Sequence, residues 1–193
     1  MEGIYRETLD EYLLSYNTIM DRLDQMDKRI DEIAEQDKYR ESVHKLICFK
    51  GVKTLTALAV VVEIGDFSRF AKAKNFSAFL GLVVGELSSS EDENKLTISK
   101  QGNTFIRRLL VEAAQSFARA TSGKSQALKR RQEGNTPEVI AYADKANERL
   151  RKRYHHLVLH NLKCHNKAVV GVARELACFI WGMMTDHTEL VVR

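Results

Sequence analysis

YRETLDEYLLSYNTIMDRLDQMDKRIDEI, residues 5–33, decides how the chain is to be read. Tyr5, Leu9, Tyr12, Tyr16, Ile19, Leu23, Met26, Ile30 and Ile33 step alternately by four and three residues. That spacing is the a/d seam of a heptad repeat, because a helix of 3.6 residues per turn returns such positions to one side. The positions between are mostly Asp, Glu, Arg, Lys and Gln. At 1.5 Å per residue the seam runs roughly 40 Å. A stripe so narrow needs another helix against it. It fits packing on the chain's own domain, and it fits a coiled coil with a second copy. The length of the seam and its charged flanks favour the second copy, a homodimer through residues 1–40.

Working outward, the helical pattern continues without the seam from Ser42 to Ile47. Gly51 then separates two apolar pieces, and Gly65 is a stop for a helix over about residues 54–64. A short helix over about 73–80 ends at Gly81. Asn103 or Thr104 can cap a helix whose buried face is Ile106, Leu109, Leu110, Ala113 and Phe117. Further helices are expected over about 125–132, from Pro137 to about Leu159, and over about 166–185. One proline in 193 residues suits this reading, since proline breaks helices. Between them lies GLVVGELSSSEDENKLTISKQGN, residues 81–103, expected as a long polar loop. LVVGEL and KLTIS within it are the one place where two short strands can pair. The expected fold class is all-α: a long N-terminal coiled-coil helix, then a compact helical domain with a helix-hairpin-helix-like element and one long polar loop. The domain is expected over 41–187, with a tail at 188–193.

Composition narrows the class. Hydrophobic content of 44% and charged content of 29% are ordinary for a soluble domain, and the net charge of +4 is compatible with nucleic acid. Cys48, Cys164 and Cys178 are odd in number and widely spaced, which argues for a reducing compartment. MEGIYRETLDEYL lacks the apolar core of a signal peptide, and no run approaches the ~18 apolar residues of a membrane span. A cytoplasmic location, away from membranes, is the expectation.

Four constellations bear on chemistry. In KGVKTLTALAVVVEIGD, residues 50–66, a glycine turn leads into a helix N-terminus, an arrangement that offers N–H groups to phosphate. Lys50, Gly51 and Lys53 are the contact candidates there, weighed equally against a plain helix corner. In the polar loop, Ser88, Ser89 and Ser90 precede Lys100, Arg107 and Arg108, which could hold a phosphate. Spacing alone selects no nucleophile among the serines. His156, His160 and Cys164 share a helical spacing, but no fourth ligand is evident and no metal site is assigned. KRR at 129–131 and RLRKR at 149–153 are solvated faces or parts of a phosphate-tracking surface.

One ordered series of segments is more specific. Residues 48–57, EIGDFSRF at 63–70, FLGLV at 79–83, Ser88-Ser89, ISKQGN at 98–103, IRRLLVEAA at 106–114 and AVVGVARELACFIW at 168–181 occur in that order. Together they resemble the C-terminal transposase domain of the IS110 family of insertion sequences, also written IS116/IS110/IS902. The likeness covers roughly residues 40–185, and the heptad helix resembles the coiled coil that precedes that domain.

The resemblance implies a DNA recombinase in two parts: an RuvC-like domain with metal-binding acids, and a helical domain that supplies a serine. That serine attacks a DNA phosphodiester and forms a covalent link during strand exchange. Some members are guided by a structured RNA, so DNA is the implied partner and a guide RNA a further one. The family's serine pattern falls on Glu86, Ser88 and Ser89, with Ser89 the choice and Ser88 the reserve. Lys100, Gly102, Asn103 and Arg108 match the segment that follows and would contact phosphate or shape the loop. Family glycines after the serine pair are Ser90 and Glu91 here, and the tip reads EDEN. No cofactor is expected in this chain, and Mg²⁺ is expected in the RuvC-like domain. These 193 residues contain no replacement for that domain, so the chain alone is expected not to recombine DNA. A fragment, a truncated relic and one part of a split enzyme all fit. The alternative reading is a non-catalytic, dimerising nucleic-acid-binding protein derived from such a transposase. An unrelated coiled-coil interaction protein is a third.

Overall fold

In the computed structural model the described residues are 2–89, 92–119 and 123–187, and for Glu2 and residues 84–89 and 92–97 the description covers the backbone only. Eight helices and one two-stranded hairpin are present among them. They are α1 (Glu2–Ala34), α2 (Asp37–Leu46), α3 (Thr54–Ile64), α4 (Ala73–Phe79), β1 (Val84–Ser89), β2 (Asp92–Ile98), α5 (Thr104–Ala118), α6 (Gln126–Gln132), α7 (Pro137–Leu159) and α8 (His165–Met184). The all-α class holds.

The core gathers around α8. Its sequence is apolar on almost every side, and Val169, Val172, Ala173, Leu176, Ala177 and Ile180 are buried. A helix without a polar stripe must be covered all round. Accordingly α4, α5 and α7 pack on it, and α2 touches it as well. Two polar groups of this core bond backbone carbonyls. The Trp181 indole N–H donates to the Phe70 carbonyl at 3.1 Å, and the Tyr142 hydroxyl donates to the Phe179 carbonyl at 3.2 Å.

Local signals set most helix limits. Gly65 ends α3 with φ +64°. The Asn103 side chain accepts from the Ile106 N–H at 2.9 Å and starts α5. Ser125 caps α6, and Thr136 with Pro137 opens α7.

The first helix is as long as the seam predicts, but it does not run on through residues 42–47. It stops at Ala34, and Gln36 takes an extended conformation (φ −65°, ψ 142°) before α2. Glu35 holds this corner, with its carboxylate 2.8 Å from His44 Nε2 and 3.3 Å from Arg40 Nε. The break turns Val43 and Leu46 of α2 into the core beside Ala34. Within α1, Ala34 is buried and Ile30 and Ile33 are partly buried against the domain. Tyr5, Leu9, Tyr12, Tyr16, Ile19, Leu23 and Met26 are exposed, and Leu13 and Met20 widen the apolar stripe.

Residues 81–103 correct the expectation of a loop. Strands β1 and β2 pair antiparallel, with Val84 opposite Ile98, Glu86 opposite Lys95, Leu87 opposite Asn94, Ser88 opposite Glu93 and Ser89 opposite Asp92. The register is irregular between Val84 and Glu86. Ser90 and Glu91, which join the strands, and the expected tail 188–193 lie outside the described residues.

The three thiols differ sharply in surroundings. Burial pushes the Cys48 thiol up to about 11 and raises Cys178 as well, whereas Cys164 is exposed at the start of α8. A raised thiol pKa keeps the unreactive protonated form at pH 8, so the thiolate fraction of Cys48 is on the order of 10⁻³. We expect Cys164 to react first with a disulfide reagent in the native protein. Cys48 should react at least ~100-fold more slowly, until denaturant opens the core. Equal rates in a native thiol titration would contradict the burial of Cys48.

Candidate nucleic-acid interface

The hairpin stands on a stem that three helices grip. The Lys100 N–H donates to the Gly81 carbonyl at 3.3 Å, and the Ser99 N–H donates to the Val83 carbonyl at 2.9 Å. The Asn103 N–H donates to the Phe79 carbonyl at 3.3 Å. Asn103 also donates through its side chain to Glu63 on α3 at 2.7 Å, while capping α5. Arg107 donates to the Leu80 carbonyl at 3.0 Å. Gly102 has φ +98°, and a Cβ there would overlap the Phe79 carbonyl oxygen.

The residues first read as phosphate contacts therefore divide. Gly102, Asn103 and half-buried Arg107 hold the stem to α3, α4 and α5. Lys100, with φ +55°, and Arg108 face solvent. Arg108 lies 3.8 Å from Glu112 and 5.9 Å from the Phe105 ring centre. Ser88 and Ser89 fall on the last two positions of β1. Their side chains, and those of the acids opposite them, are outside the description.

The turn between α2 and α3 is also anchored rather than open. The Lys50 backbone N–H donates to Asn147 Oδ1 at 2.8 Å, so that group is not open to a phosphate, whereas the Lys50 ammonium pairs with no acid among the described residues. Gly51, with φ +84°, presses on α5, where a Cβ would overlap the Ala113 carbonyl oxygen. Buried Gln132 donates to the Cys48 carbonyl at 3.3 Å and to Asp144 at 3.1 Å. Lys124 bonds Gln132 and pairs with Asp144, and Arg131 donates to the Val52 carbonyl. Lys53 is open as well, exposed at the start of α3 with no side-chain cap on the helix.

The basic cluster at 149–153 is compensated. Arg149 and Arg153 face Glu175 at 3.6 and 3.0 Å, and Arg151 and Lys152 face Glu148 at 2.9 and 3.5 Å. These acids lie on α7 and α8, so the cluster at 149–153 is a paired helix face instead of a bare cationic track. The His156 and His160 rings lie 5.1 Å apart, tilted by 31°, but α7 ends at Leu159 and Cys164 is the N-cap residue of the next helix.

One arrangement escaped the sequence. Arg69 lies over Phe70 and Phe79, with its guanidinium 4.7 and 4.9 Å from the two ring centres. EIGDFSRF contains these neighbours only in part, because Phe79 arrives from α4. No periodic or motif signal marks such a triad.

Comparison with known proteins places these elements. Residues 43–132 match the profile described as Transposase IS116/IS110/IS902 family. The stretch begins in α2 and ends with α6, so it holds the 47–53 turn, the hairpin and its stem. The chain is 32% identical over 160 residues to the transposase for insertion sequence element IS1533 of Leptospira borgpetersenii, covering 80% of this chain and 44% of that protein. It is 28% identical over 170 residues to the transposase for insertion sequence element IS1111A of Coxiella burnetii, covering 88% of this chain and 40% of that protein. The chain thus spans less than half the length of either relative. The ordered match through the turn, the hairpin and α5, with the alignments that extend it, makes this chain a member of the IS116/IS110/IS902 family of insertion-sequence transposases.

Proposed function

We propose that this chain supplies the DNA-engaging, serine-bearing part of an insertion-sequence transposase. In this reading the Ser89 hydroxyl attacks a DNA phosphorus, with Ser88 in reserve. An O–P bond to serine forms, one P–O bond to deoxyribose breaks, the hydroxyl loses its proton and the leaving oxygen gains one. Reversal by the hydroxyl of another strand rejoins the DNA and frees the serine. Lys100 and Arg108 near the stem, and Lys53 at the uncapped start of α3, supply phosphate contacts.

The observation that carries the reading is the seating of the hairpin. Both serines lie on a strand whose stem is fixed by Gly102, Asn103 and Arg107 to three core helices. A nucleophile needs such support, because its reach to phosphorus must be repeatable to within a fraction of an ångström. Among the described residues no three or more His, Cys, Asp or Glu residues are grouped to hold a metal. In this reading Mg²⁺ belongs to an RuvC-like domain. The exposed face of α1 pairs with α1 of a second copy as a coiled coil, which joins two serine-bearing domains on DNA. A structured guide RNA is a further proposed partner, and the place of work is the cytoplasm. Among the described residues no helix is long and apolar enough to cross a membrane.

The test joins this chain to the RuvC-like part of a full-length relative and measures detergent-stable protein–DNA adducts. Ser89→Ala should lower adduct yield at least ~10³-fold, as removal of a nucleophile does. Ser88→Ala should leave it within a few-fold. Parental yield from Ser89→Ala would sink the assignment. The register favours a second reading, a DNA-binding dimer without chemistry, since Asp92 and Glu93 stand opposite the serines. Salt-sensitive DNA binding with no adduct from the parent would support that one.

A further inference from the structure

We propose that Arg69, laid on Phe70 and Phe79 at the foot of the hairpin, is a stacking platform for an unpaired base of the bound DNA. This rests on the DNA-binding reading above and adds a site and its ligand.

The floor of the platform is rigid. Phe70 and Phe79 lie 5.3 Å apart, and Phe70 lies 5.3 Å from Phe76, which is fully buried. The Phe70 carbonyl accepts from Trp181 in the core, and the Phe79 carbonyl accepts from Asn103 in the stem. Any ligand on Arg69 is therefore seated relative to the hairpin through one residue, Phe79.

The upper side is open. Arg69 is exposed and Phe79 is 36% exposed. Among the described residues Arg69 makes no ion pair and no hydrogen bond. The nearest acid in sequence, Asp66, is engaged by the Ser68 N–H at 2.8 Å and the Ser68 hydroxyl at 2.7 Å. Glu63 is engaged by Asn103. A planar cation held flat on aromatic rings offers its outer face to another π system and its N–H edge to an acceptor. A nucleobase next to a phosphate supplies both.

Charge points to nucleic acid as the occupant. Arg69, Lys72 and Lys74 are exposed on one segment and Lys100 is exposed on the stem, so four cations outnumber the two local acids, Asp66 and Glu63, which bond only neutral groups of Ser68 and Asn103. A base inside an intact duplex cannot present its face to a protein side chain. The ligand is therefore a base that has left the stack, as occurs where strands are opened for exchange. The rigid floor means that Arg69 is ordered before the base arrives, so little side-chain entropy is lost on binding.

The test uses the full chain and two DNA duplexes of equal length, one fully paired and one carrying a single unpaired 2-aminopurine. The parent should prefer the second by about 10-fold and quench its fluorescence, in line with stacking energies per base. Phe79→Leu and Arg69→Lys should bring the preference within twofold and abolish quenching. Arg69→Lys keeps the charge and removes the planar face, so a lost preference in this variant reports the stacking surface and not a missing cation. Circular dichroism melts check that both variants fold. If the parent binds paired duplex with the usual salt dependence but shows no preference, the platform is wrong and the DNA-binding reading stands. An undiminished preference in Arg69→Lys also overturns it, because charge alone would then explain the effect. Failure of the parent to bind either duplex removes the DNA-binding reading itself.

Discussion

Replacing Gly102 with alanine should destabilise the protein by about 2–5 kcal/mol, from positive-φ strain and overlap together. For a chain of this size that is a fall in melting temperature of roughly 5–15 °C. Two causes act at one atom. The residue sits at φ +98°, where a Cβ is strained, and the Cβ would overlap the Phe79 carbonyl oxygen. That oxygen cannot step aside cheaply, because it accepts from Asn103 and Phe79 belongs to the packed end of α4. Relief must come from lifting the stem off α4, which loosens the hairpin. Hydrogen exchange at Ser99 and Lys100, whose N–H groups donate to Val83 and Gly81, should accelerate more than in the core helices. Gly134 separates the two causes, since it has φ +83° with nothing within 4 Å of its Cβ position. Gly134→Ala should cost about 1–2 kcal/mol from backbone strain alone. Equal melting temperatures for the two variants would mean that the approach of residue 102 to Phe79 constrains nothing.

The second large effect is on assembly. A double replacement, Ile19→Lys with Leu23→Lys, should convert a dimer to a monomer of the 22.0 kDa chain mass, read by sedimentation equilibrium. Each seam side chain buried in a coiled coil is worth about 1.5–3 kcal/mol. Two positions in two copies then remove roughly 6–12 kcal/mol, more than ~10⁴-fold in dissociation constant. Folding of the domain should survive, because Ile19 and Leu23 are exposed in the single chain and join none of its core. Asp21→Lys is the control. It lies off the seam, on the far side of the helix, and should leave the mass at that of the parent. A parent that sediments at 22.0 kDa across the micromolar range would end the coiled-coil proposal.

The helical plan of the chain was readable from its residues alone. The range 54–64, the cap at Asn103, the start at Pro137 and the buried face Ile106, Leu109, Leu110, Ala113, Phe117 all stand in the fold as expected. Each depends on interactions three or four residues apart, which a linear reading can count. The break at Glu35–Gln36 was missed because no glycine or proline marks it. It is decided by where Val43 and Leu46 find the core. Strand pairing at 84–98 was visible as a possibility, but register and the grip of the stem were not.

The candidate site was less legible than the helices. Lys50 and Gly51 were read as phosphate contacts or a plain helix corner, Asn103 as a phosphate contact or a loop-shaping residue, and Arg107 as a phosphate contact. In the fold the Lys50 backbone N–H, the Asn103 side chain and Arg107 bond within the protein, and Gly51 presses on α5. Glycine, asparagine and arginine suit a ligand and a tight backbone junction for the same chemical reasons, so residue type cannot separate the two uses. The cluster at 149–153 looked free until Glu175 arrived from α8.

Residue order by itself determined the helices, their caps, the seam and the family, because periodicity, capping and an ordered series of motifs are properties of neighbours in the chain. Tertiary structure alone decided which cations are spent, which glycines are pressed against carbonyls, and that Arg69 meets Phe79. Those outcomes depend on pairs far apart in the chain, whose meeting is set by packing every helix around α8 at once.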